Sequence, residues 1–206
     1  MALKSLSELL EGDDRQRMFG SATDLQEALA GIELLPGVPE RIRTLFDTAR
    51  NLSLCTWYVY EFHPIADLTG FLALEAALKV RAKQEGSALA SESSFRKLIE
   101  HAIKAGWIAE ERIAHRREIA RAAVEDRHAL ASIKRMEELG IDSIGIEEPT
   151  AEQIANEERD MKVLEGVCKA AVELRNGLAH GEMLLAPGSY RRLRMTADLI
   201  NQLYPS

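Results

Sequence analysis

Two cysteines in 206 residues, Cys55 and Cys168, give no disulfide framework and no metal-ligand spacing. Both are expected to be buried free thiols. Runs of β-branched residues are almost absent, and the 13 Gly and 6 Pro fall between long periodic segments rather than inside them. This disfavours strands and favours helices. No run is long and apolar enough to span a bilayer: "LSLCTWYVY", the most apolar, is short and carries Ser and Thr. The N-terminal "MALKSLSELLEGDD" turns acidic before a signal-peptide core could form, so a cytoplasmic location with no membrane partner is expected. A Gly-rich phosphate loop, G-x-S-x-G, H-E-x-x-H and zinc-type Cys/His spacing are all missing, so no metal and no cofactor are expected. An excess of basic charge is lacking too: 26 Lys and Arg stand against 33 Asp and Glu, for a net charge of -7. That argues against a protein that coats nucleic acid without selectivity and leaves room for a local basic cleft.

What is present reads as one all-helical domain over 1–206, with short helices over 1–35 as an appendage to a core over 36–206. Hydrophobic residues at 46% and charged residues at 29% suit an ordinary globular chain. Ser5-x-x-Glu8, Thr23-x-x-Gln26 and Thr150-x-x-Gln153 read as capping boxes that open helices. Pro39 stands where an N1 proline would start another helix, followed by Ile42, Leu45, Phe46, Ala49 and Leu52 at helical spacing. The chain is expected to end or kink a helix near His63, since a residue before proline avoids the helical region. A helix over 64–83 with Leu68, Phe71, Leu72, Leu78 and Ala82 follows, then "SSFRKLIEHAIKAG". One long charged helix is expected over 108–139, at ~45 Å, closed by Gly140 and the linker "GIDSIGIEEP". The helix opened by Thr150 is expected to run on to residue 180, and Ser189 to cap a last helix that ends near Tyr204.

Chemistry concentrates in "ELRNGLAHGE", residues 173–182. Met161, Leu164, Cys168, Ala171 and Leu178 recur at helical spacing, and Arg175 falls in the same series, facing inward. An inward guanidinium needs acceptors, because an unpaired buried charge costs several kcal/mol. It serves either a structural ion pair or an anion pocket open to phosphate, which its planar fork grips at two points. His180 has the side chain suited to proton transfer near neutrality. On an ideal helix Arg175 and His180 diverge by about 140°. They meet only if the chain bends at Gly177 or Gly181, or if a second subunit brings its own copy opposite. Glu75 lies on an apolar helical stripe and needs a partner, for which Arg175 is the obvious choice. Such a carboxylate fixes packing and orients the arginine at once. Arg191, Arg192 and Arg194 open the last helix and could hold flanking phosphates. Trp57, Tyr58, Tyr60 and Phe62 read as core more readily than as base-stacking surfaces. His63 reads as a turn or capping residue and His101 as surface. His115 and His128 stand too far apart to share a metal. The charged segment around them reads as a solvated helix laced with i,i+4 pairs, or as an arm for dimerisation or a partner.

The run "LRNGLAHG" resembles the signature of the HEPN superfamily: Arg, a polar residue, a spacer and His near the C-terminus. "FLALEAALKVR" and "FRKLIEHAIKAGW" are similar to helices that bacterial members place upstream. The resemblance implies an antiparallel helical bundle over 36–206, commonly a homodimer with two motifs facing across a cleft. It implies a metal-independent endoribonuclease acting on RNA, with Arg175 and His180 at the scissile phosphate and Asn176 orienting the histidine or the RNA. A toxin or defence effector, with an antitoxin or other protein partner, belongs to the same expectation. Some relatives are non-catalytic interaction or regulatory modules, in which the motif would be a buried polar network.

Overall fold

The computed structural model describes residues 4–16, 20–87, 94–179 and 188–205. The fold is all-α, a helical bundle with no strand among the described residues. Its helices are α1 (Leu6–Leu10), α2 (Ala22–Ala30), α3 (Glu40–Cys55), α4 (His63–Gln84), α5 (Phe95–Lys104), α6 (Arg116–Leu139), α7 (Ala151–Asp160), α8 (Val163–Ala179) and α9 (Ser189–Leu203). Single 3-10 turns occupy Tyr60–Phe62 and Glu110–Arg112. Among the described residues no helix is long and apolar enough to cross a membrane.

The helix starts follow local side-chain chemistry. Ser5 with Glu8 and Thr150 with Gln153 form complete capping boxes. Thr23 does not cap. Ser21 does, its hydroxyl accepting from the Asp24 amide at 3.1 Å, so α2 begins earlier than the Thr23-x-x-Gln26 pattern suggests. Pro39 stands at the N-cap of α3 rather than inside it. His63 is helical (φ -52, ψ -54) although it precedes a proline, and it opens α4 directly from the 3-10 turn.

Two helices are shorter than periodicity alone suggests. The charged helix starts at Arg116, not near Ile108, because residues 108–113 turn inward: Ile108 and Ile113 are buried, and the Ala109 amide donates to the Gln202 side chain at 2.9 Å. The helix opened by Thr150 ends at Asp160. Met161 is extended (φ -66, ψ 143), and the carbonyl of Glu158 accepts from the Arg116 guanidinium, which lends the end of α7 a cation. Arg175 and Asn176 therefore lie on a separate helix, α8.

The chain divides into two compact units, one of residues Met1–Arg112 with Leu164–Ser206 and the other of Ile113–Val163. In the first, α4 is the central element. A short connection returns it alongside α3, and α9 and α5 also lie against it. Small side chains at Ala66, Gly70, Ala73 and Ala77 let neighbours approach its backbone. At Gly70 a Cβ would fall 2.6 Å from Leu193 Cδ2, which puts α9 in close contact there. Ile42 and Phe46 of α3, Leu74 and Leu78 of α4, Leu98 and Ile99 of α5, and Leu199, Ile200 and Leu203 of α9 form the core. Residues 1–35 are tied to this unit: Leu25 and Leu29 of α2 are buried, and Arg50 of α3 donates to the Leu29 carbonyl at 2.8 and 3.0 Å. The Asp13 amide donates to the Trp57 carbonyl at 2.8 Å.

The second unit is a hairpin of α6 and α7, with Ala120, Val124 and Ile154 as its buried helical residues. Gly140, in the left-handed region at φ +63, stops α6, and the Ile141 amide returns to the Met136 carbonyl. Arg127 pairs with Glu157 across the hairpin, and His128 Nδ1 lies 2.8 Å from the Glu147 carbonyl.

Candidate functional site

Helix α8 carries Arg175 and Asn176, the first two residues of the RN-x-x-x-H run, near its C-terminal end. Leu164, Val167 and Ala171 are its buried face, with Cys168 half-buried beside them. Val163 and Val167 are buried positions absent from the stripe read in the sequence, and Met161, which that stripe included, is only half-buried and precedes α8. Arg175 belongs to α8, but its side chain, and all of His180, lie outside the described residues. Asn176, between them, is exposed on the last turns of α8.

Glu75 stands on α4 between Phe71 and Leu78, with its side chain only 14% exposed. One oxygen accepts from Lys79 Nζ at 2.7 Å, an i,i+4 pair on the same helix. The Glu75–Arg175 pair expected from the sequence involves a side chain outside the described residues.

The three arginines that open α9 fan out at about 100° per residue. Arg191 is exposed and Arg194 half-buried. Arg192 turns toward α4, where its Nε donates to Asp67 Oδ2 at 2.6 Å.

That ion pair belongs to a buried polar cluster that composition and motif reading missed. His63, at the first position of α4, is 4% exposed. Its Nε2 lies 2.8 Å from Gln16 Nε2 and its Nδ1 2.8 Å from Ser189 Oγ. Ser189 Oγ lies 2.7 Å from Ser53 Oγ. Gln16 also donates to the Thr56 carbonyl at 2.8 Å. An amide NH₂ can only donate, so His63 Nε2 must accept. The neutral ring then carries its proton on Nδ1 and donates to Ser189 Oγ at 2.8 Å, a contact that outweighs the Ser189 amide pointing at the same nitrogen from 3.4 Å, and the Ser189 hydroxyl proton turns toward Ser53. Burial first, and the nearby Arg192 charge second, push the His63 pKa down to about 4.

One turn along α4, Asp67 is 5% exposed, and its Oδ1 finds no hydrogen-bond partner among the described residues. Burial raises its pKa to about 6, against the opposing pull of Arg192. Its ion pair with Arg192 does not fully offset the loss of water around the carboxylate. The cluster thus makes two rungs between α4 and α9, His63–Ser189 and Asp67–Arg192. The spacing carries a faint signal: positions 63 and 67 are one helical turn apart, as are 189 and 192, and both pairs mix hydrogen-bonding types on otherwise apolar faces. Without the contact between the helices nothing joins them.

Other expectations change in detail. His63 is a buried network member rather than a turn residue, because Pro64 fits within the first turn of α4 and lets the ring point inward. His101 is half-buried, edge-on to Trp107 at 5.0 Å, since the turn at Gly106 folds Trp107 back toward α5. Cys55 is exposed at the end of α3, whereas Cys168 is half-buried and its thiol pKa is raised, chiefly by burial. Tyr60 is buried, with the Arg15 guanidinium 4.4 Å above its ring. Compared with known proteins, the chain matches no family model, no curated protein and no solved structure.

Proposed function

We propose that this chain is a metal-independent endoribonuclease of HEPN type that acts as a cytoplasmic homodimer. The observation that carries this reading is the RN-x-x-x-H run, Arg175 to His180, whose first two residues stand near the end of a helix in an all-α fold. RNA supplies its own nucleophile, the 2′-hydroxyl. His180 takes that proton as the 2′-oxygen bonds to phosphorus. Arg175 balances the charge that builds on the phosphoryl oxygens. The bond from phosphorus to the 5′-oxygen breaks, an imidazolium returns a proton to that oxygen, and a 2′,3′-cyclic phosphate remains. Asn176, exposed beside Arg175, orients the histidine or the RNA. Glu75 holds the arginine in place. Arg191 and Arg194 meet flanking phosphates, and Arg192 contributes through α9, which Asp67 anchors. A toxin or defence effector restrained by a protein antitoxin suits a nuclease of this kind. The test is cleavage of a long RNA by the purified protein in the presence of a metal chelator. His180→Ala should abolish cleavage and leave the far-UV circular dichroism spectrum unchanged; equal cleavage by the variant would remove the assignment.

A second reading, a non-catalytic interaction or regulatory module, draws on the buried rungs: this chain already uses His63, Asp67 and Arg192 for packing, and the motif could be one more such network. Under that reading wild-type protein leaves RNA intact, and Arg175→Ala lowers the melting temperature or dissociates the dimer.

A further inference from the structure

We infer that the outer face of α6 pairs, antiparallel, with the same face of a second copy of this chain. Helix geometry defines that face. At about 100° per residue, Ile119, Ala123, Asp126, Ile133 and Lys134 all fall within about 60° of Leu130. Leu130 stands about 120° round the helix from Val124, which is buried in the hairpin, and about 160° from His128, where the linker carbonyl of Glu147 is held. The face therefore points away from the linker and is not the one that packs on α7. Leu130 and Ile133 on it are 62% and 47% exposed. Ile119, Ala123, Asp126, Leu130 and Ile133 follow one another in steps of four, three, four and three, the spacing at which one helix meets another along a seam.

Charge decides what covers this face. Elsewhere on the hairpin charges are paired, Arg121 with Glu125 and Arg127 with Glu157. Asp126 and Lys134 are exposed, and among the described residues neither has an ion pair. Asp126 has no cation to meet on its own helix, because Ala122, Ala123, Ala129 and Leu130 occupy the positions three and four away. The two charges stand four residues either side of Leu130. An antiparallel copy related by a two-fold axis at Leu130 sets Leu130 on Leu130 and each Asp126 opposite Lys134 of the other copy. Two ion pairs then flank one apolar contact, and Ala123 leaves room for Glu137 of the other copy. A parallel copy would set Asp126 on Asp126 and Lys134 on Lys134. Nucleic acid and anionic membranes meet a single cation here, beside Asp126 and Glu137. From Ile119 to Glu137 the seam is about 27 Å long. That is short for a stable interface, so association at a Kd of about 10–100 μM is expected. The nuclease reading is not involved.

The experiment is sedimentation equilibrium of the full-length chain at up to about 300 μM, above the expected Kd, with far-UV circular dichroism to show that each variant folds. Wild type should self-associate, from monomer to dimer, or from dimer to tetramer where another surface also joins copies. Asp126→Lys and, separately, Lys134→Asp should each weaken that step by about tenfold or more, because like charges then face each other in both pairs. The two variants change net charge in opposite senses, so an effect of overall charge would not weaken both. An equimolar mixture of them should associate again, since each copy then supplies the charge that the other lacks. Three results would overturn the inference: a wild type with no such step, which leaves the face to a different partner; a step that either variant leaves unchanged, which puts the contact elsewhere and does not touch the homodimer of the nuclease reading; or a mixture that stays apart.

Discussion

Replacing Asp67 by Asn or His63 by Gln tests the buried cluster through pH, because the two groups are shifted in opposite senses. Asp67 moves from its ordinary 3.8 up to about 6. The folded state holds that proton more tightly than the unfolded chain does. The stability it confers is full below 3.8 and is lost as pH rises through about 6. His63 moves from 6.5 down to about 4, so its contribution is full above 6.5 and is lost as pH falls through about 4. Arg192 on α9 is the charged group that faces both, Tyr60 stands edge-on to His63 with ring centroids 5.0 Å apart, and α3 presents Ser53; phenol and serine hydroxyls do not titrate in this range. Linkage between pH 7 and pH 4 gives a gain of about 2 kcal/mol from Asp67 on acidification. Over the same interval His63 gives a loss of about 3 kcal/mol. In the wild type the two nearly cancel. Asp67→Asn keeps an acceptor for Arg192 and removes the gain, so the variant should lose about 2 kcal/mol relative to wild type on going from pH 7 to pH 4. His63→Gln should do the reverse, gaining about 3 kcal/mol relative to wild type. Urea unfolding followed by circular dichroism at both pH values measures each difference, and contributions common to all three proteins drop out. Differences that stay constant with pH would refute the claim that these groups are buried in the ionisation states assigned to them.

Two further substitutions probe the backbone. Gly70→Ala should destabilise by about 1–2 kcal/mol despite the helix preference of alanine, because the new methyl meets the buried Leu193, and Leu193→Ala in the same chain should relieve much of that loss in a thermal-melt double-mutant cycle. Gly140→Ala meets no atom within 4 Å, so its expected cost of about 1 kcal/mol comes from φ +63 alone, and a urea midpoint equal to wild type would show that another residue holds this conformation without strain.

The all-helical class was legible because periodicity and capping are local. The Ser5 and Thr150 boxes need only their own four residues, and Gly140 stops α6 through its own backbone conformation. Where the reading missed, distant residues decided. The apolar series from Met161 to Leu178 does not show that Arg116, far earlier in the chain, donates to the Glu158 carbonyl at the end of α7, nor that α8 begins anew at Val163. Nor does the pattern around Ile108 reveal that Gln202 takes up the Ala109 amide. For the candidate site, the order of Arg175, Asn176 and His180 can be read directly, and so can the need of Glu75 for a partner. Lys79, at i,i+4 on the same helix, meets Glu75 as local spacing allows, while the Arg175 side chain lies outside the described residues.

The rungs between α4 and α9 also bear on the motif. Ser189 is fully buried and lies nine positions after His180, so the chain that leaves the motif enters α9 at a fixed point. Apolar contacts alone would hold that point loosely. Ala66, Gly70 and Ala73 present a nearly uniform surface, and a one-turn slide of α9 would re-form much of the same contact. The polar rungs are not interchangeable in this way. A slide would leave His63, Ser189, Asp67 and Arg192 without their partners, at a cost of about 1–3 kcal/mol for each buried group left unsatisfied. The register of α9 is therefore held by hydrogen bonding. The chain accepts in return a carboxyl pushed toward neutrality and an imidazole kept uncharged, which is the origin of the opposed pH responses expected of Asp67→Asn and His63→Gln.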